Sequence, residues 1–393
     1  MDDKKTVFII GAGAHVLYGL PSGYQLRQMI CNENLLSEKN LQILREVIIS
    51  APEYNSPIHT RNEIDKSLNK QITQFVNNFR YSMMPYIDTF LAVHKDEMSQ
   101  KIGKAIIAFI FSNLEDRKNF YVGKKINNPY LPRENNKVGE QVDDDWYHIF
   151  FRKLSAIKKG GKPPVIITFN YDRYMDYALF NYYRYTTPSM VEEEVMQHYD
   201  QHELNKLVHH KMQNESKLYH VYGKVGKLEW EEEKGTSVGF GGARSGDMYK
   251  NICENLYIVQ DERLNLQVVD APIKKLTGNL TPEERRLLNQ QTNIFNIQKA
   301  ISEAERLVFL GYGFDDFNNK YIGLDYFDKN RGEKFPLEKV WYTNIGLNER
   351  EEHNIHELFV KYLPGGTTRS SGTSVIANKS GQTYNCSDIL GKF

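Results

Sequence analysis

The chain has little cysteine, no excess of either charge and no long apolar run. Its 393 residues include 3 cysteines, Cys31, Cys253 and Cys386, far apart in sequence. No pair shows the two-residue spacing of a zinc clip, which argues against a structural metal ribbon and against a disulfide framework. The 50 Lys and Arg residues cancel the 50 Asp and Glu residues. Nucleic acid is therefore not expected as the main ligand, because phosphate binding usually rests on a basic excess. No apolar run approaches the roughly 20 residues that cross a bilayer. Met1-Asp2-Asp3-Lys4-Lys5 leads directly into a strand without a signal-peptide cleavage pattern, so a cytoplasmic protein with no membrane partner is expected.

What the chain does have is a set of short motifs, each closing an apolar run. Val7-Phe8-Ile9-Ile10 runs into Gly11-Ala12-Gly13-Ala14, and Val165-Ile166-Ile167 into Thr168-Phe169-Asn170-Tyr171-Asp172. Leu218-Tyr219-His220-Val221 runs into Tyr222-Gly223. Leu307-Val308-Phe309-Leu310 runs into Gly311-Tyr312-Gly313-Phe314-Asp315-Asp316. Ligands of open α/β sheets sit just outside the carboxyl ends of the strands, so these motifs together point to one site.

The pattern between the motifs sets the organisation. Strands are expected near 6–10, 165–169, 217–222, 306–310 and 339–343, with a first helix from about Gly23 to Cys31. Residues 34 to 116 carry helical spacing, as in Ile72, Phe75, Val76 and Phe79. Residues 118 to 143 read as a long surface loop, followed by a helix near 146–157. Further helices are expected near 189–211 and 282–304, the second started by Thr281 and Pro282. The stretch after Leu363 is rich in Gly, Ser, Thr and Asn and reads as mobile, or ordered only against a partner. The expected fold class is α/β, a Rossmann-like, mostly parallel sheet with a large helical insertion after the first βα unit. In segments, 1–33 is that first βα unit, 34–145 the insertion and long loop, 146–350 the remainder of the domain and 351–393 a C-terminal extension.

Each motif has a chemical reading and a plainer one. Gly11 and Gly13 would let the backbone turn tightly beside a pyrophosphate, with helix N–H groups facing the phosphates. The usual dinucleotide fingerprint would have a third glycine where Val16 stands, and a glycine turn after a strand is often only structural. Asn170 can hold a water or a ribose hydroxyl, and Asp172 can accept from ribose hydroxyls or a carboxamide; the alternative is an Asx turn. His220 and Tyr222, two apart on an expected strand, would share a face, and His220 could act as a base near neutral pH. A satisfied core histidine is the alternative. Gly311 and Gly313 permit another close approach, and Asn344 could meet an adenine or its ribose or simply make a turn.

These residues resemble the SIR2-like proteins, the sirtuin-related NAD+-consuming group of bacterial anti-phage defence. Gly11-Ala12-Gly13-Ala14 with Gly19-Leu20-Pro21-Ser22 is similar to the family's phosphate and ribose loop. Thr168-Phe169-Asn170-Tyr171-Asp172 is similar to its nicotinamide-side motif. Tyr86-Ile87-Asp88-Thr89-Phe90-Leu91 resembles a segment of the defence branch's helical insertion. Gly311-Tyr312-Gly313-Phe314 and Thr343-Asn344 resemble the adenosine-side turns. The chain departs from the family where Tyr222-Gly223 stands in place of a His-Gly pair, whose histidine is the family's base, and where Ala14-His15 replaces Ala-Ser.

The resemblance implies an NAD+ glycohydrolase that releases nicotinamide and ADP-ribose as an abortive-infection effector, without a metal since the deacetylase zinc cysteines are missing. Asn170, Asp172, His220 and Tyr222 would then be catalytic. Gly11, Ala12, Gly13, Ala14, Pro21, Thr168, Gly311, Gly313, Phe314 and Asn344 would bind the dinucleotide. Expected partners are NAD+, further copies in a homo-oligomer, and a partner ATPase or phage-encoded trigger. The alternative is a degenerate relative that binds NAD+ or ADP-ribose as a sensor or as a structural subunit.

Overall fold

The computed structural model describes residues 4–48, 58–115, 146–158, 162–186, 201–226, 228, 230–231, 282–324, 337–344, 347, 349–360, 375–376 and 385–392. The 118–143 loop and Thr281 lie outside these residues. The sheet is built from β1 (Thr6–Ile10), β2 (Val165–Thr168), β3 (Lys217–His220), β4 (Arg306–Leu310), β5 (Lys339–Tyr342) and β6 (Val375–Ile376). Its order is β3-β2-β1-β4-β5-β6, and every neighbouring pair is parallel. This is the doubly wound Rossmann arrangement, whose crevice opens where the strand order reverses, between β1 and β4.

The central strands read as unbroken apolar runs because helices cover both faces of a parallel sheet. Every residue of β1 is buried, and Val7 stands between Val165 of β2 and Leu307 of β4. The crossover from β1 to β2 carries the insertion. It comprises α1 (Gly23–Ile30), α2 (Glu38–Ile48), α3 (Ile58–Tyr81), α4 (Ile87–Val93), α5 (Glu97–Leu114) and α6 (Trp146–Lys158). Helix α1 begins with a capping box in which Ser22 and Gln25 satisfy each other's backbone N–H groups. Arg27 of α1 donates to the carbonyls of Met84 and Arg80, at 2.8 and 3.0 Å, and so fixes the turn between α3 and α4. Phe90 of α4 meets Phe75 and Phe79 of α3, with ring centroids 5.4 and 5.0 Å apart.

Beyond β2 come α7 (Tyr174–Thr186) and α8 (Gln201–Glu215), then α9 (Pro282–Ser302), α10 (Asp316–Tyr321), α11 (Glu349–Val360) and α12 (Cys386–Lys392). The sequence reading passed over α7. Tyr174, Met175, Tyr177, Ala178, Leu179, Phe180 and Tyr183 are all buried there, so no polar stripe marks a helical period. The helix expected near 189–211 runs instead to Glu215, its described part starting at Gln201. The mobile reading of the C-terminal extension does not hold for all of it. Val375–Ile376 pairs with β5, and Ile389 and Leu390 of α12 are fully buried.

Among the described residues no helix is long and apolar enough to cross a membrane.

Candidate functional site at the carboxyl edge of the sheet

The glycine turns after β1 and β4 are seated on each other. The Gly11 amide donates to the Leu310 carbonyl at 2.9 Å, and the Gly13 amide to the Gly311 carbonyl at 3.0 Å. A Cβ on Gly11 would stand 2.4 Å from the Gly311 oxygen. Gly311 adopts φ +59°, and its own amide donates to Thr343 Oγ1 at 2.8 Å. The Ala14 amide donates to the Gly11 carbonyl at 3.1 Å. The phosphate-cradle reading therefore fails for the amides of Gly11, Gly13 and Ala14, which already have protein acceptors. A 3-10 helix over Ala12–Tyr18 follows β1, in place of the helix N-terminus that the usual fingerprint supplies. Ala12 is half-buried in it, and Pro21 is buried just before α1. Gly13 and Gly313 are exposed, and a Cβ on Gly313 would meet open space.

The turn after β2 lies beside that 3-10 helix. Asn170 Nδ2 is 2.9 Å from His15 Nδ1, which brings the asparagine loop and the glycine loop together across 155 residues of sequence. The Asn170 backbone amide also donates to Thr168 Oγ1 at 3.1 Å, a threonine brace that ends the strand. Asn170 Oδ1 is buried without a partner in this rotamer. Exchanging the amide's oxygen and nitrogen would let the oxygen accept from His15 and free the N–H₂ for the cleft, a choice left to the surrounding network.

His15 is the site residue that sequence reasoning missed. It is 1% exposed and lies among Tyr18, Trp146, Tyr147 and Tyr174. Its Nδ1 is 3.0 Å from the Asp172 carboxylate, and its Nε2 is 2.7 Å from the Tyr147 hydroxyl. A carboxylate only accepts, so Nδ1 carries the proton and Nε2 accepts from Tyr147. Trp146 Nε1 donates to the Ala14 carbonyl at 2.9 Å. The one available signal was a histidine four residues after the glycine that ends β1, followed far downstream by Trp146-Tyr147.

Asp172 differs from its expected role as well. One of its oxygens accepts from the Tyr174 amide at 3.0 Å, and the carboxylate orients His15, so it is buried and occupied rather than open to a ribose. His220 and Tyr222 do not share a strand face. Strand β3 ends at His220, and Tyr222 sits in a turn closed by Gly223 at φ +72°. His220 points to α7, where Nε2 donates to Asp176 Oδ2 at 2.8 Å, beside a cavity of about 110 Å³ that Lys224 and His209 also line. Burial works to raise the Asp176 carboxyl, yet His220 and Lys224 outweigh it and hold it well below the usual carboxylate range. Burial likewise works to lower the Lys224 ammonium, and Asp176 and Glu231 overcome it.

Tyr222 is buried, and its hydroxyl donates to Asn318 Oδ1 of α10. Burial, with the charge of Asp88 next in effect, raises its phenol well above the ordinary value. Tyr222, expected as a catalytic residue, therefore stands in this structure as a hydrogen-bond donor. Its ring stacks on those of Tyr171 and Tyr321, with centroids 6.0 Å away in each case.

The adenosine-side residues are mostly held by the protein. Phe314 adopts φ +51° and packs on Phe309, Tyr312, Tyr342 and Phe359. Asn344 is buried and donates to Glu352 Oε1 of α11 at 2.7 Å. Asp315 caps α10 by accepting from the amides of Phe317 and Asn318, both at 3.1 Å. Among the described residues no three His, Cys, Asp or Glu groups come together as a metal set. A cavity of about 730 Å³ lies at the opposite, amino edge of the sheet. Its lysines, such as Lys5 and Lys162, pair with Glu303 and Glu305, and none of the motif residues line it.

Residues 164–352 match the family model of the SIR2-like domain. The match spans β2 to β5, including Asn170, Tyr222 and the Gly311 turn. No curated protein matches the chain.

Proposed function

We propose that the SIR2-like domain binds NAD+ at the carboxyl edge of its sheet and hydrolyses the nicotinamide–ribose bond. The contact between Asn170 and His15 carries this reading, because it brings the asparagine loop and the glycine loop to the crevice between β1 and β4. Nicotinamide leaves as a neutral molecule from a pyridinium, so the reaction needs no general acid. It needs a held ribose, a sheltered oxocarbenium-like centre and a directed water. Asn170 is the group that holds the ribose or the water, and His15 and Asp172 hold Asn170. The pyrophosphate meets the exposed rim at Gly13 and Gly313, since the buried amides of the β1 turn are spent on the protein.

In this reading NAD+ depletion serves an anti-phage response, in an oligomer released by a partner ATPase or a phage-encoded trigger. The position of Tyr222 favours a second reading, in which the domain holds NAD+ or ADP-ribose without cleaving it. Incubation of the purified chain with NAD+ separates the two. Nicotinamide release that is lost in Asn170→Ala supports hydrolysis, whereas a thermal shift with NAD+ and no release supports the sensor. Absence of both rejects nucleotide binding.

A further inference from the structure

We infer that Asp88 is the proton-accepting group of this cleft, supplied by the helical insertion in place of the absent histidine, with Tyr171 as the residue that positions it. The inference rests on the reading of the domain as an NAD+ hydrolase.

Asp88 lies in the first turn of α4, and its carboxylate Oδ1 accepts from the Tyr171 hydroxyl. Tyr171 stands between Asn170 and Asp172 in the turn after β2, so the insertion is fastened to the heart of the motif. The Tyr171 ring lies against Tyr222, at an interplanar angle of 28°, and against Phe111 of α5. Through the Tyr171 ring the carboxylate neighbours Tyr222, close enough for its charge to add to burial in raising that phenol. Unlike Asp172 and Asp176, Asp88 has no cationic or imidazole partner among the described residues, and its surface is only partly covered. Proton transfer requires that a water or ribose hydroxyl approach this half-covered carboxylate.

The groups facing Asp88 are the Tyr171 hydroxyl, the Asp315 carboxylate at the cap of α10 and the Tyr222 phenol. Burial, its own backbone amide working against it, and the Asp315 charge bring the Asp88 carboxyl up to about 7. A base of that strength is half ready at neutral pH, where proton transfer is most effective. In the reaction, the water oxygen forms a bond to the ribose C1′ and the C1′–N bond breaks, its electron pair leaving with nicotinamide. The water's proton passes to the Asp88 carboxylate, which later gives it to solvent.

The test follows nicotinamide release and the NAD+-induced thermal shift from pH 5.5 to 8.5 for the full chain and for Asp88→Asn, Asp88→Glu and Tyr171→Phe. The expected native rate rises through a midpoint near 7 and then levels. Asp88→Asn loses about 10²–10⁴-fold on the plateau above the midpoint, and less toward pH 5.5 where the native carboxyl is itself protonated, while still melting cooperatively and keeping its shift with NAD+. Asp88→Glu restores part of the rate, and Tyr171→Phe moves the midpoint upward by removing a donor to the carboxylate. An Asp88→Asn protein with the native rate and pH profile overturns the inference. So does a native chain that binds NAD+ and never cleaves it, which leaves nucleotide binding standing. No thermal shift in any of these proteins overturns the binding reading itself.

Discussion

A Cβ on Gly311 would lie 1.9 Å from the amide nitrogen of Ala14, and the residue's φ of +59° already favours glycine. The turn after β4 is thus pressed into the turn after β1 where the strand order reverses, and both glycines serve that contact first. The two glycines of Gly311-Tyr312-Gly313 consequently have separate roles. Gly311→Ala must displace backbone, and we expect it to cost more than about 3 kcal/mol or to prevent folding. Gly313→Ala has open space to enter and should melt within about 1 kcal/mol of the native chain, while weakening any shift produced by NAD+. Denaturant titration of the two variants reads the difference, and equal midpoints would refute it.

The insertion is held to the sheet by a second buried relationship. Arg173, at the start of α7, donates through Nη2 to Glu115 Oε2 at 2.6 Å and through its backbone amide to Oε1 at 2.9 Å, and neither side chain is exposed. Removing one partner of such a pair strands the other charge, at a cost of about 3–5 kcal/mol. Glu115→Ala should therefore lower the denaturation midpoint far more than Glu97→Ala, whose partner Lys101 is on the surface. Similar midpoints for the two variants would show that Glu115 does not fasten α5 to α7.

His15 invites a test that separates its ring from its nitrogens. His15→Phe keeps an aromatic ring among Tyr18, Trp146, Tyr147 and Tyr174 but removes the imidazole hydrogen bonds to the Asp172 carboxylate and the Tyr147 hydroxyl. Unsatisfied buried groups cost about 1–3 kcal/mol each. We expect a loss of that order in stability and, because Asn170 is no longer held, a larger proportional loss in NAD+ turnover. A variant with native stability would mean that packing alone explains the residue.

The sequence made some of this legible and hid the rest for physical reasons. β1 and β4 announce themselves because a buried parallel strand must be apolar throughout, and their glycine endings show where the loops approach. The direction of a side chain is another matter. His220 and Tyr222 would have faced alike had β3 continued, but the strand stops at His220 and the turn at Gly223 sends the phenol toward α10. His15 looked like a departure from a motif, and only the fold puts Asp172 and Tyr147 on either side of its ring. Helix α7 was hidden by being buried all round. Asp88 reaches Tyr171 from 83 residues away, a pairing no local pattern encodes.

Asp88 also governs how stability depends on pH. Burial, with the Asp315 charge acting in the same direction, pushes its carboxyl up to about 7. In the unfolded chain an aspartate titrates at about 3.9. Between those values the folded protein keeps a proton that the unfolded chain has lost. Stability therefore falls as pH rises from about 4 to about 7 and this contribution is constant above. Asp88→Asn retains an oxygen to accept from the Tyr171 hydroxyl and carries no charge at any pH. Its melting temperature should exceed that of the native chain at pH 8, and the two should draw together as the pH is lowered toward 5. Melting curves for both proteins across this range decide the matter. A gap that stays constant, or that widens toward acid, would mean that Asp88 is ionised in the folded chain throughout and that Tyr171 donates to a carboxylate already stabilised.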